Sequence, residues 1–284
     1  MVDEASPAVE RRRLALELRR LRTEAGKTIY DVADRLECSA GKVSRIEMGV
    51  VGARIQDVRE MLDLYGVRGE RRDQLLDLVR RSRRRAWWQD YASVVPPDSA
   101  KLYGLEAGAA TIDDHCVALV PGLLQTDAYA RAVIGSPLDE KPDKVDRRIE
   151  LRQRRRELLE RADPPVARFV LHQAVVDAQI GSRAVMVEQL RHLALIAERP
   201  NVTLRVIRAD AGAYTAVGQS FTAFGFAHEA DPKIVFVEQL TRNTFIEDLG
   251  EVEIYAKAFE SAFELAESPE RSLELILRRT EALS

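Results

Sequence analysis

The sequence predicts an all-α N-terminal domain followed by an α+β C-terminal domain with about four strands. Three observations carry this expectation. Between residues 9 and 65, apolar side chains recur at helical spacing, punctuated by glycines and capping residues. Beyond residue 200, VTLRVIR, SFTAFGF and KIVFVEQ have the branched and aromatic content of strands. Between the two regimes VVPPDSA, at 94 to 100, is the clearest breaker. The expected boundaries are 1–68 for the helical domain, 69–99 for a basic linker helix and tryptophan junction, and 100–284 for the α+β domain.

Residues 9 to 25 (VERRRLALELRRLRTEA) place Leu14, Leu18, Leu21 and Ala25 at helical spacing, and Gly26 closes that helix. Thr28, three residues before Asp31, caps a second helix carrying Ile29, Val32, Ala33 and Leu36. Ser39 caps a third, in which Val43 and Ile46 face inward, Lys42, Ser44 and Arg45 are left for solvent, and Gly49 ends the run. A fourth spans about Ile55 to Leu64, with Val58, Met61, Leu62 and Tyr65 as its apolar contacts. Two short helices joined by a tight turn, with small Ala33 where the axes approach, fit a helix-turn-helix. Ordinary protein-binding bundles use the same small residues, so spacing alone leaves both readings open.

ERRDQLLDLVRRSRRRAWWQDY, at 70 to 91, begins as a helix with Leu75, Leu76, Leu78 and Val79, where dimerisation is expected, and then reaches Trp87 and Trp88. Adjacent helical residues point about 100° apart, so the two indoles bury together only where two surfaces meet. After the breaker, KLYGLEAGAATIDDHC reads as a helix around Leu102, Leu105, Ala109 and Ile112. VALVPGLLQTDAYARAVI supplies a short extended run, a Pro-Gly turn and a helix capped by Thr126. A charged helix covers 143 to 162, ARFVLHQAVV follows at 167 to 176, and a helix from about Ala184 to Arg199 stops at Pro200. Ser268, Pro269 and Glu270 open the last helix.

A chain of 284 residues with 46% hydrophobic content can bury a core, and no run of 18 apolar residues suits a membrane span. The start, MVDEASPAVERRR, lacks the apolar segment of a leader, so a soluble, cytoplasmic protein without a membrane partner is expected. Cys38 and Cys116 form no close motif and read as free thiols. Charge is unevenly divided: residues 1 to 85 hold 20 Lys and Arg against 15 Asp and Glu, the remainder 23 against 31. A basic end beside an acidic one suits a domain that meets phosphates joined to one that does not.

Catalytic and cofactor chemistry find little support. Asp113, Asp114, His115 and Cys116 are metal-type ligands, but their spacing matches no zinc pattern and neighbours on a helix diverge. His172, His192 and His228 are scattered, and no phosphate loop or nucleophile elbow is present, so no catalytic residue, metal or cofactor is expected. A small-residue loop, 210 to 218, could line a ligand or partner pocket with Tyr214 and Phe221, for which Trp87 and Trp88 are further candidates, or could be an ordinary hairpin connection.

LRRLRTEAGKTIYDVADRL, SAGKVSRIEMG and the helix ending LDLYGV, taken in order, resemble the Xre-type helix-turn-helix family, which includes phage repressors. The resemblance implies a five-helix, lambda-repressor-like domain that binds double-stranded operator DNA as a homodimer on two half-sites. Such domains often carry Gln where Ile29 stands and Gly where Glu37 stands, and their base-reading polar side chains fall at Ala40 and Gly41. Arg45 is then the best direct reader, because its fork matches guanine O6 and N7; Ser44 adds one less selective bond, and Ala40 offers a methyl to thymine. An ion pair of Arg45 with Glu47 or Glu37 is the competing reading. Thr28, Arg35, Ser39 and Lys42 suit phosphates, and Arg11, Arg12 and Arg13 suit a minor-groove arm.

From Trp87 onward, WWQDY, GLEAGAATI, LVPGLLQTDAYARAV, VMVEQLRHLALIAERPNVTLRVI and the SFTAFGF and IVFVEQ pair resemble the regulatory domain of actinobacterial Xre-type regulators described as WhiJ-like or antitoxin-like. That resemblance implies transcriptional control, with a small neighbour-encoded partner protein or an unidentified small-molecule effector acting on the C-terminal domain. The family often has an acidic residue where Gln173 stands.

Overall fold

The computed structural model describes residues 6–96, 99–135, 142–228 and 231–284, and divides into two compact units, residues 1–89 and 90–284. Pro97 and Asp98, within the expected breaker, lie outside the described residues.

The first unit is a bundle of five helices: α1 (Pro7–Glu24), α2 (Ile29–Arg35), α3 (Ala40–Glu47), α4 (Ile55–Leu64) and α5 (Gly69–Ser82). Leu14 and Leu18 of α1, Val32 of α2, Val43 and Ile46 of α3, and Val58, Met61 and Leu62 of α4 meet in one core. Leu75, Leu76, Leu78 and Val79 of α5 are buried in that same core, where α5 packs along α1. Leu75 and Val79 therefore stabilise their own domain and are unavailable for the dimer contact expected of them. Arg11, Arg12 and Arg13 also depart from expectation, since they lie inside α1 and not in an extended arm. Pro7 occupies a first helical position, where its missing N–H costs nothing, and the helix starts before the arginines. A helix roughly 10 Å wide cannot follow an arm's path into a minor groove about 6 Å wide.

The second unit is α+β, with six strands among the described residues rather than about four. They are β1 (Thr111–Cys116), β2 (Val166–His172), β3 (Val202–Ile207), β4 (Phe221–Gly225), β5 (Ile234–Glu238) and β6 (Asn243–Ile246), in the order β3-β2-β1-β4-β5-β6. The β3, β2 and β1 strands run parallel, and from β1 outward through β4, β5 and β6 each pair is antiparallel. One face packs on α6 (Ser99–Gly108), α7 (Asp127–Ile134), α9 (Gln173–Asp177), α10 (Arg183–Ala197) and α12 (Pro269–Leu283), while α11 (Leu249–Leu265) covers the other. The remaining helix, α8 (Pro142–Arg156), lies against α7.

The residues expected to end a helix at 111 to 116 instead make the central strand, and the extended run expected at Val117 to Val120 is loop. Strand alternation sorts the polar cluster that a helix would have splayed. Asp114 and Cys116 join Ile112 on the α10 and α12 face, whereas Asp113 and His115 point toward α11. Asp113 is satisfied there by Arg168 at 2.7 Å and Lys233 at 3.3 Å. Among the described residues, no group of three or more His, Cys, Asp and Glu could hold a metal ion.

Candidate nucleic-acid interface

Local chemistry fixes α2 and α3 before any tertiary contact does. The Thr28 hydroxyl accepts from the Asp31 amide at 3.1 Å, while Asp31 accepts from the Thr28 amide at 2.7 Å, closing a reciprocal cap on α2. These bonds, led by the one from the Thr28 amide, hold the Asp31 carboxyl below its ordinary range. The Ser39 hydroxyl likewise accepts from the Lys42 amide at 3.2 Å and starts α3. Between the helices, Glu37 adopts φ of +49°, the left-handed conformation that glycine takes without penalty.

Arg22 of α1 fixes how α3 is presented. Its Nε and Nη2 donate to the two oxygens of Glu47 at 2.7 and 2.9 Å, and its Nη1 donates to the Lys27 carbonyl at 2.9 Å. Glu47 is 5% exposed, so this is a buried, bidentate tie at the last turn of α3. The hydrogen bond to Glu47 raises the Arg22 guanidinium above its ordinary value. Sequence reading missed Arg22, although it falls four residues after Leu18, on the inward stripe of α1.

With Glu47 engaged by Arg22, one carboxylate named as an alternative partner for Arg45 is removed. Arg45 is exposed, and among the described residues it forms no ion pair. Gly41 and Met48 share its outward face, with Met48 61% exposed. Ser44 is half-buried, and Ala40 packs partly against the domain's core. The methyl of Ala40 is thus turned at least partly away from a base.

The phosphate candidates are held unequally. Thr28 donates both its amide and its hydroxyl to Asp31, leaving no free donor for a phosphate. Arg35 pairs with Glu60 at 2.7 Å in an exposed contact worth about 0 to 1 kcal/mol, readily exchanged for a phosphate. Lys42 pairs with Asp57 of α4 at 2.7 Å in a more sheltered contact. Ser39 is exposed beside the N-terminus of α3.

The four pocket candidates are divided between the two units. Trp87 and Trp88 belong to the first unit and meet edge to face, with centroids 5.7 Å apart. Tyr214 and Phe221 belong to the second, where both rings pack around fully buried His115. His115 Nδ1 lies 2.7 Å from the Gln219 carbonyl, which can only accept, so Nδ1 carries the proton and Nε2 accepts from the Tyr214 hydroxyl at 3.1 Å. Burial pulls the His115 imidazole below its ordinary value, in keeping with that neutral form. The 210 to 218 loop is pinned to the sheet through this contact.

Two capped helices meeting at a tight left-handed turn, the second exposing an unpaired arginine, define a helix-turn-helix unit. Residues 13–75 match the family described as "Helix-turn-helix domain", which supports a DNA-binding regulatory role. Residues 99–278 match "Domain of unknown function (DUF5753)", and the chain belongs to this family. No curated protein and no solved structure matches the chain. No helix among the described residues is long and apolar enough to cross a membrane.

Proposed function

We propose that the protein is a sequence-specific transcriptional regulator of the Xre type, reading operator DNA with α3 and controlled through its DUF5753 domain. The observation that carries this reading is the exposed Arg45, which among the described residues forms no ion pair, on a helix that Arg22 and Glu47 hold in place. Arg45 reads a guanine, Ser44 contributes a less selective bond, and Arg35, Ser39 and Lys42 meet phosphates.

One bidentate arginine discriminates by about 1 to 3 kcal/mol, whereas specific sites typically exceed non-specific DNA by about 4 to 10 kcal/mol. Two copies on paired half-sites narrow that gap, which favours a homodimer. Control by a small partner protein or an effector belongs to the same proposal, in the manner of WhiJ-like regulators. The test is titration against the gene's own upstream DNA beside a scrambled duplex of equal length, at physiological salt. Preference for the upstream duplex, lost in Arg45→Ala, supports the reading; equal binding to both duplexes sinks it.

A further inference from the structure

The second unit encloses a cavity of about 590 Å³ that the DNA-binding reading does not use. It lies beyond the carboxyl end of β1, bordered by Asp114, Cys116, Thr222, Phe236 and Glu238. From β1 the chain builds the sheet outward through β2 and β3, then returns to place β4 on the other side of β1. The cavity therefore sits at the seam between the parallel and the antiparallel halves of the sheet.

Three arginines of α8, Arg148, Arg152 and Arg155, line this cavity at helical spacing. Their environments differ. Arg155 donates through Nε and Nη2 to both oxygens of buried Glu106, at 2.9 and 2.6 Å, so that charge is neutralised within the protein. Arg152 donates to the side-chain amide oxygen of Gln125 and, among the described residues, has no carboxylate within ion-pair distance. Burial, and then the neighbouring Arg155 charge, lower the Arg152 guanidinium to about 10.

The two guanidinium groups converge at Gly122. A Cβ on Gly122 would stand 3.4 Å from Nη1 of Arg152 and 3.4 Å from both Nη1 and Nη2 of Arg155. Glycine here keeps open a niche walled by two cations, only one of which has a counter-charge among the described residues. The wall itself is rigid: Gln189 accepts from the Thr126 amide and donates to the Leu124 carbonyl, both at 2.7 Å. Gln125 Nε2 donates to the Val120 carbonyl, also at 2.7 Å, and the Tyr129 hydroxyl oxygen accepts from the Val120 amide at 3.2 Å. The LVPGLLQT stretch therefore forms a preorganised side of the cavity, which gives it a role apart from the DNA-binding unit.

We propose that this cavity binds a small organic oxyanion, a carboxylate or phosphate ester, whose charged group seats between Arg152 and the free Nη1 of Arg155 beside Gly122. Val120, Leu123, Leu151 and Phe236 supply apolar lining for the rest of the ligand, and a cavity of this volume suits an organic molecule better than a bare ion. Asp114 and Glu238 direct the anionic end away from themselves. The Asp114 oxygens already accept from the Cys116 thiol at 3.0 Å and the Thr222 hydroxyl at 3.3 Å, whereas Glu238 is left to accept from a ligand hydroxyl or N–H.

This proposal goes beyond the DNA-binding reading and is tested without DNA. Full-length protein is titrated calorimetrically with phenyl phosphate, phenylacetate and the neutral 2-phenylethanol. The expected result is saturable binding of at least one anion and none of the alcohol, with the better anion identifying the class. Arg152→Gln weakens that binding by about tenfold or more, since a charge-assisted pair is lost. Gly122→Val, which retains every arginine but fills the niche, abolishes it and serves as the second variant should Arg152→Gln fail to fold. No saturable anion binding, an alcohol bound as tightly as the anions, or a wild-type affinity in Gly122→Val overturns the proposal.

Discussion

Arg22 and Glu47 meet through two hydrogen bonds of 2.7 and 2.9 Å, joining the end of α1 to the end of α3. Glu47 is buried and Arg22 partly so, which sets the pair apart from a surface contact. Removing Arg22 alone leaves an ionised carboxylate without a counter-charge, at a cost of about 3 to 5 kcal/mol. Urea unfolding of Arg22→Met should show that loss in the helical unit, and Arg22→Met combined with Glu47→Leu should recover most of it. A single variant as stable as wild type would show that the tie contributes nothing.

The left-handed Glu37 makes an opposite prediction. Glu37→Gly relieves the clash at φ of +49° and should stabilise the helical unit by about 1 kcal/mol. The check is the midpoint of thermal unfolding followed at a helix-unit probe. A lower midpoint would mean that the turn is held without strain.

The proposed phosphate contact of Lys42 would set DNA in competition with Asp57 for that side chain. Lys42→Ala should weaken all duplexes alike and reduce the salt slope of binding by about 1. Asp57→Asn releases Lys42 from its 2.7 Å pair and should strengthen non-specific binding. A loss confined to one operator in Lys42→Ala would make Lys42 a base reader instead.

Asp114 predicts a pH dependence within the second unit. Burial pushes its carboxyl from the ordinary 3.8 up to about 6. The folded state therefore binds this proton more tightly than the unfolded state, and the associated stability is complete below 3.8 and lost as pH rises through about 6. The loss is at most roughly 3 kcal/mol. Wild type compared with Asp114→Asn by urea unfolding, between about pH 4 and 7.5, isolates this group from other carboxylates. Parallel pH profiles for the two proteins would contradict the shift.

Much of the helical unit is legible in the sequence because short-range chemistry governs it. Thr28 with Asp31, and Ser39 before α3, announce their helices, and Gly26 and Gly49 close α1 and α3. The role of α5 is less visible, since arginines surround its leucines and nothing local says which helix those leucines will meet. β1 is misread for a related reason. Its Leu102 to Ile112 approach keeps helical spacing, and the Asp-Asp-His run lacks the branched residues that mark strands; partners far along the chain, Arg168 and Lys233 among them, make those polar side chains tolerable in a sheet centre. β6 has only four residues and one neighbour, too little for pattern alone. At the interface, Arg45 is legible from residue type and position, whereas its freedom depends on Arg22, a contact across 25 residues.

The placement of β1 also sets an order in time. Its neighbours are β2, about fifty residues later, and β4, which begins at Phe221, so the central sheet cannot close until most of the chain has been made. The helical unit, complete by residue 89, needs no such distant partner. At about 5 to 20 residues per second, the remaining 90–284 segment takes roughly 10 to 40 s to synthesise. During each round of synthesis the reader can fold on the ribosome well before the domain proposed to govern it exists, so a nascent chain passes through an interval in which control has yet to be built.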